Sequence, residues 1–598
     1  MPNDQKRMMP IDYTAIEYEG IRQQLLQIAE RFYPDTFRDF SEASFGAMMV
    51  DAVAYVGDQL SFYLDYNINE TFLDTAYQYN NILRHGRVLG YKFSGPASTY
   101  GTVAMFVLVP ASTTAIGPDT RYIPIIKKGT VFNSKSGGSF SLLENVDFSD
   151  PKNQVVVARV SKTTGSPTYY AVKAYGSVVS GKTSVQKLKI GDYERYLRVK
   201  LRSSNVQEVI SVVDEEGNEY YEVNYLSQDI VFKEMSNNNF KNDNVPSVLK
   251  PMLVSRKFVV EKTRYNTYLQ FGSGKSGETN VVADPQSVSL DIFGKDYVTD
   301  TTFDPTRLTR NENYGIVPQN TTLTITYRAS DLTTNNVSTS ALNSVTTAYA
   351  DFADRSVLSE DTLAEVVRSL EVTNEEPIMG NVSLPTPGEV KRRIYDTFPT
   401  QDRAVTKADY ESVAYRMSSK YGSIKRCSVQ KDPDSLKRNL NMYVMSENSF
   451  GKLVKSNATI KNNLKIWLNH YRMINDTIDI LDAHIFNFGI QFVISTAEES
   501  DKFTTLDNCI RHLGSIYSAG FFIGEAIYIS DIYSELKKVA GVTDVHSVKL
   551  SNKTSIRYSN VELNINENLS PDGSQLVVPN NVIAEIKFPR TDIKGKVR

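Results

Sequence analysis

The spacing of apolar residues changes character three times along the chain. Phe45, Met49, Val53, Val56, Leu60 and Leu64 recur at steps of three and four, which predicts a helix with one apolar face. Ser41 and Ser44 stand before it as candidate N-caps. A second helix is expected over residues 69–84, with Phe72, Ala76, Tyr79 and Leu83 on one side and a stop at His85-Gly86.

From Gly101 the period drops to two. Short β-branched and aromatic runs separated by Gly, Asn and Asp turns continue to about Tyr327, among them residues 102–109, 155–160, 168–172, 206–213 and 258–271. This spacing predicts antiparallel β-rich domains. Residues 237–246 and 300–313 are polar and are expected to be loops. After about residue 340 helical spacing returns. Leu363, Val366, Val367 and Leu370 follow Ser359, Pro387-Gly388 opens another helix, and residues 406–417 form a third. Two small α/β patterns follow in tandem. The expected fold class is multidomain α+β. It comprises a helical region (1–98), a β-rich middle (99–335) and a helical connector (336–420). Two α/β units (421–484 and 485–552) and a polar tail with a late strand (553–598) complete it.

Composition narrows the chemistry. The 598 residues are too many for one core, so several domains are expected. Lys plus Arg (66) nearly balance Asp plus Glu (69), which argues against a phosphate backbone as the main partner. Cys427 and Cys509 are the two cysteines and form no CxxC pair, so neither a disulfide framework nor a cysteine zinc site is expected. The first ten residues lack the pattern of a secretory leader, and charges interrupt every long apolar run. Tyrosine is abundant (35), a residue suited to half-buried interfaces and to strands alike.

Candidate catalytic motifs fail on their surroundings. Gly272-Ser273-Gly274-Lys275-Ser276 has the ending of a phosphate-binding loop, but Leu269 stands where the loop requires its first glycine, and polar turn residues follow. A Gly-rich turn is the expected structure. His85, His470, His484, His512 and His546 include no pair at HExxH spacing; His484 beside Asp482 is the one conceivable metal ligand, and a structural role is expected for each. There is no GxSxG elbow. Lys391-Arg392-Arg393 is expected to be a solvated helix face above a buried Ile394, and Lys425-Arg426 to guard a sheet edge. No cofactor, metal or catalytic residue is expected.

Two stretches carry a resemblance. The first contains Gly46, Asp51, Gly57, Asp58, Tyr63, Glu70 and Phe72-Leu73-Asp74-Thr75-Ala76. It continues through His85-Gly86-Arg87 and Leu89-Gly90-Tyr91 to Gly101-Thr102-Val103. The second is Asp402-Arg403-Ala404-Val405-Thr406-Lys407-Ala408-Asp409-Tyr410, echoed by Gly541-Val542 before a late strand. Thr406 can cap the following helix and Asp409 favours its N-terminus. Together these stretches resemble the baseplate J-like family, especially the wedge subunit of T-even-type phages.

The resemblance implies a structural, non-enzymatic subunit of a contractile tail baseplate. It would reside in the virion and be assembled in the host cytoplasm. Such subunits form homodimers repeated around a six-fold ring and join a different wedge subunit in a helical bundle. They also meet small sheath-initiating or wedge-closing subunits, and their reorientation starts sheath contraction. Neither a membrane nor nucleic acid would be a direct partner. By this analogy Phe45, Met49, Val53, Val56, Leu60 and Phe72 are candidate bundle contacts. Arg87, Gly90, Tyr91, Arg403, Thr406, Asp409, Tyr410 and Gly541 would specify the fold. The alternatives are a component of a non-phage contractile injection device, or a tail-associated cell-wall or capsule hydrolase.

Overall fold

A computed structural model describes residues 17–32, 44–112, 117–237, 247–274, 314–330, 335–353, 355, 358–433, 439–497, 501–517 and 520–598. The protein is multidomain α+β, with a helical N-terminal region followed by a β-rich body. It divides into two compact units. One comprises Met1–Gly90 with Thr386–Ile394, and the other Tyr91–Pro385 with Tyr395–Arg598.

In the first unit, α1 (Tyr18–Phe32) packs on α2 (Phe45–Glu70), and α3 (Tyr79–Val88) follows a non-helical corner. The expected second helix therefore divides differently: α2 runs on to Glu70, and residues 71–78 are not helical. Local polar side chains stop it. Thr71 Oγ1 donates to the Ile68 carbonyl and Thr75 Oγ1 to the Asn69 carbonyl, competing with continued helix. The stop expected at Gly86 lies beyond Val88 instead, where Gly90 has φ +85°. Glycine takes that left-handed conformation without penalty.

The second unit begins with an antiparallel sheet in which Tyr100–Pro110 pairs along its whole length with Pro167–Ser180. From one edge the order runs Leu342–Thr347, Val131–Ser134, Ser139–Leu142, Pro167–Ser180, Tyr100–Pro110, Glu371–Thr373. Its core joins Val103, Met105, Phe132, Phe140 and Val172 to Leu363 and Val366 of the helix Glu360–Arg368. Two strands of this sheet thus come from residues 336–420, the stretch expected to be a helical connector.

A second sheet runs from Lys182–Lys189 through Thr322–Ala329, Val206–Val213, Glu219–Glu222, Lys257–Lys262 and Thr267–Phe271 to Arg198–Lys200. The expected run 258–271 is thus a hairpin, turning at residues 263–266. Phe258, Leu269, Phe271, Leu323 and Ile325 form the core of this sheet.

In the first C-terminal α/β unit Asn439–Glu447 lies between Arg426–Lys431, antiparallel, and Thr477–Asp482, parallel. Lys407–Tyr415 and Ala458–Asn469 supply its helices. The second is centred on His484–Thr496, with Val542–Asn552 antiparallel to it and helices Lys502–Ile516 and Ile529–Lys537 packed alongside. Residues 553–598 contribute more than one late strand: Val582–Glu585 and Ile593–Val597 both pair in parallel with His484–Thr496.

Arg426 corrects the expectation of a guarded edge. It is buried, donates to the Phe521 carbonyl at 3.2 Å and stands 4.6 Å from the Phe522 ring centroid. Lys425 turns instead to Glu447 at 3.0 Å. Ile394 is fully buried as expected, but Lys391 is not simply solvated: its ammonium donates to the Asp74 carbonyl at 2.5 Å.

Candidate interaction surface

Helix α2 opens on Ser44, whose hydroxyl accepts from the Ala47 N–H at 3.1 Å. That bond satisfies one of the donors a helix start leaves unpaired. The covered side of α2 carries mainly small or polar side chains. Ala47 and Ala54 are buried, Asp51 pairs with Arg22 at 2.6 Å, and a Cβ at Gly57 would stand 3.2 Å from Ile21 Cδ1. The Arg22 guanidinium holds the Asp51 carboxyl below its usual range. These residues let the two helix backbones approach closely.

The large apolar side chains point the other way. Phe45 is 72% exposed, Val53 55%, Val56 55% and Leu60 59%, and Met49, Phe62, Tyr63, Leu64 and Ile68 are also exposed. An ordinary surface helix buries this class of residue and exposes the polar one. In α2 the arrangement is reversed. Met49, Val53, Val56, Leu60 and Tyr63 follow one another at steps of four, three, four and three, the spacing of a seam that another helix can enter. Isolated exposed apolar residues need no explanation, but a continuous stripe marks an interaction surface. Phe72, past the end of α2, is also exposed.

The corner that presents this stripe is fixed by Glu70. Its buried carboxylate accepts from Asn81 Nδ2 at 2.9 Å and from the N–H groups of Tyr77 and Gln78 at 2.8 and 3.1 Å. These bonds, the Asn81 amide foremost, hold the Glu70 carboxyl below its ordinary pKa. His85 Nε2 lies 2.9 Å from the Glu70 carbonyl, so one residue ties α2 to α3 through both side chain and backbone. Arg87 is half-buried on α3, whereas Tyr91 is buried.

The second motif builds a separate structural node. Thr406 Oγ1 accepts from the Asp409 N–H at 3.2 Å, and Asp409 Oδ2 accepts from the Thr406 N–H at 2.8 Å, a complete capping box. Tyr410 is buried and donates to Asp476 Oδ2 at 2.7 Å; burial first, and the carboxylate second, push its pKa up. Arg403 is exposed, and its neighbour Asp402 takes φ +58° while accepting from Arg416 at 3.0 Å. Gly541 has φ +90° at the turn into Val542–Asn552.

No catalytic constellation is brought together among the described residues. Gly272–Gly274 pack on residues 314–317, where the Gly274 N–H donates to the Gly315 carbonyl, and a Cβ at Gly272 would lie 2.1 Å from the Tyr314 carbonyl oxygen. The Gly274 amide is committed to backbone pairing; Lys275 and Ser276 lie outside the described residues. Among the described residues no group of three or more His, Cys, Asp or Glu could hold a metal, and no helix is long and apolar enough to cross a membrane.

Residues 17–88 match the family model described as bacteriophage baseplate protein, N-terminal domain. That span contains α1, α2 and α3. The match points to a baseplate protein. Solved structures similar to the chain include the baseplate of the anti-feeding prophage in its six-fold symmetrised form. That likeness has 9% identity and a TM-score of 0.24, and covers 95% of this chain and 90% of that one. Another is the TssK-TssF-TssG baseplate subcomplex of the type VI secretion system, with 8% identity and a TM-score of 0.22, covering 73% and 95%. TM-scores this low transfer no detail to this chain. A comparison with curated proteins finds no relative that matches this sequence.

Proposed function

We propose that the chain is a structural wedge subunit of a contractile phage tail baseplate, acting by binding other subunits rather than by catalysis. One observation carries this reading: the outward apolar stripe of α2 lies inside the segment that matches the baseplate family model. Full burial of a Val, Leu or Phe side chain is worth about 1.5–3 kcal/mol. Covering several of them on a partner helix can offset the roughly 4–15 kcal/mol cost of association.

In this reading Phe45, Met49, Val53, Val56, Leu60 and Phe72 enter a helical bundle with a second copy and a different wedge subunit. Arg87, Gly90, Tyr91, Arg403, Thr406, Asp409, Tyr410 and Gly541 hold the fold that presents these contacts. The α/β units at 421–484 and 485–552 meet the neighbouring wedge, closing a six-fold ring in the virion after assembly in the host cytoplasm. Switching between two packings of these interfaces relays the signal for sheath contraction, which needs only a few kcal/mol of difference between them. The experiment is co-expression with the other baseplate chains and electron microscopy of the product. Wedges and six-fold rings are expected; a chain that remains apart from all of them contradicts the proposal.

A further inference from the structure

Where the second sheet meets the first C-terminal α/β unit, two cations gather about one carboxylate. Arg416 closes the helix Lys407–Tyr415, and its Nη1 donates to Asp402 Oδ1 at 3.0 Å. The hydroxyl of Tyr225, just past the strand Glu219–Glu222, donates to Asp402 Oδ2 at 3.1 Å. The Lys92 ammonium stands 4.8 Å from the Tyr225 ring centroid. It spends two donors on Asn224, at 2.5 Å to the carbonyl and 3.2 Å to Oδ1, and an ammonium has three.

The Arg416 side chain is nine-tenths buried, yet its Nε and Nη2 have no acceptor in the protein. Buried polar atoms are satisfied almost everywhere in a folded chain. Among the described residues Arg416 is the one side chain with two that are not. Nε and Nη2 form the planar side-on edge of a guanidinium, which chelates a carboxylate or a phosphate through two parallel bonds.

The surrounding charge favours an anion. Lys92 and Glu222 reach solvent, but the protein around them strips away much of their water, pushing Lys92 down to about 8 and Glu222 up. Side chains that are both accessible and desolvated stand in a recess. The charges of Asp402 and Glu222 favour the Lys92 ammonium, and that of Arg416 opposes it. Lys262 and Lys420 also act on Glu222. Arg328 is already matched by Glu208 at 3.0 Å. Lys92, Lys262, Lys420 and Arg416 therefore share two carboxylates, Asp402 and Glu222, which leaves positive charge in excess.

We propose that this recess binds an oxyanion, a carboxylate or phosphate group chelated by Nε and Nη2 of Arg416 and neutralised by Lys92. The group arrives either as a free anion or on an acidic side chain of a neighbouring subunit.

The test titrates the full chain with inorganic phosphate at constant ionic strength, with chloride as the control anion. Saturable heat is expected. Arg416→Gln should weaken phosphate binding about tenfold. Lys92→Gln alters an exposed side chain and should weaken it severalfold in a chain whose thermal unfolding is unchanged. Asp402→Asn removes the competing acceptor and should tighten phosphate, the opposite of what a damaged fold would do. Lys128→Gln, an exposed cation elsewhere, should change nothing. A second arm rests on the proposed baseplate role and mixes the chain with the other baseplate chains. Assembly that phosphate competes away identifies an acidic side chain as the occupant, and assembly indifferent to phosphate identifies the free anion. Absence of assembly would count against the baseplate role alone. Absence of saturable phosphate heat, meaning that the Arg416 edge holds water only, would overturn the proposal. So would undiminished phosphate binding by Lys92→Gln and Arg416→Gln.

Discussion

Glu70 shows how a single buried carboxylate shapes the N-terminal unit. It occupies the N–H groups of Tyr77 and Gln78 that the interruption after α2 leaves without helical partners. Glu70→Ala is expected to destabilise the helical unit by about 1–3 kcal/mol, because the hydrogen bonds to its carboxylate are lost. Thermal unfolding monitored by circular dichroism checks it. The pH dependence has a defined sign. The folded-state pKa lies below the unfolded value of about 4.3, so the contribution is complete above that pH and is lost as pH falls through the folded value. Thr406→Ala should cost about 1 kcal/mol through loss of the capping box. The capping role of Thr406 and Asp409 was legible in sequence because it depends on a three-residue interval. The role of Glu70 was not, since its partners lie across a turn that periodicity alone reads as helix.

At the scale of elements, the helical spacing of α2 could be read directly, but the direction of its apolar face could not. Sequence periodicity says that one face is apolar; it does not say whether the chain itself covers that face. The structure shows small residues, Ala47, Ala54 and Gly57, on the covered side of α2 and the large ones left outward. Val56→Glu combined with Leu60→Glu is expected to abolish association with partner subunits while leaving the thermal unfolding of the β-rich body unchanged. Pull-down against the other baseplate chains, with calorimetry of the variant, reads both effects. The burial of Arg426 is hidden from sequence for a related reason. Its position at the start of a strand is visible in sequence, but the Phe521 carbonyl and the Phe522 ring that receive it lie about a hundred residues away.

Across the whole molecule, buried and half-buried tyrosines set an alkaline limit. Burial pushes the phenols of Tyr100 and Tyr517 up to about 12. Unfolded tyrosine titrates near 10, so their contribution to stability is complete below about pH 10 and is lost as pH rises through about 12. Tyrosinate absorbance and unfolding are expected to rise together in that window; free titration of both phenols in a folded chain would refute it. The β-rich class and the order of segments followed from turn spacing. The contribution of residues 336–420 and 553–598 to sheets begun far earlier in the chain did not, because long-range strand pairing leaves no local mark.

The outward stripe of α2 is most directly tested by thiol labelling of Leu60→Cys, with the buried native cysteines as internal silence. In the isolated chain the thiol should react quickly, and in assembled tail particles it should be shielded at least tenfold. Equal labelling in both would mean that no partner covers α2, and would contradict the account.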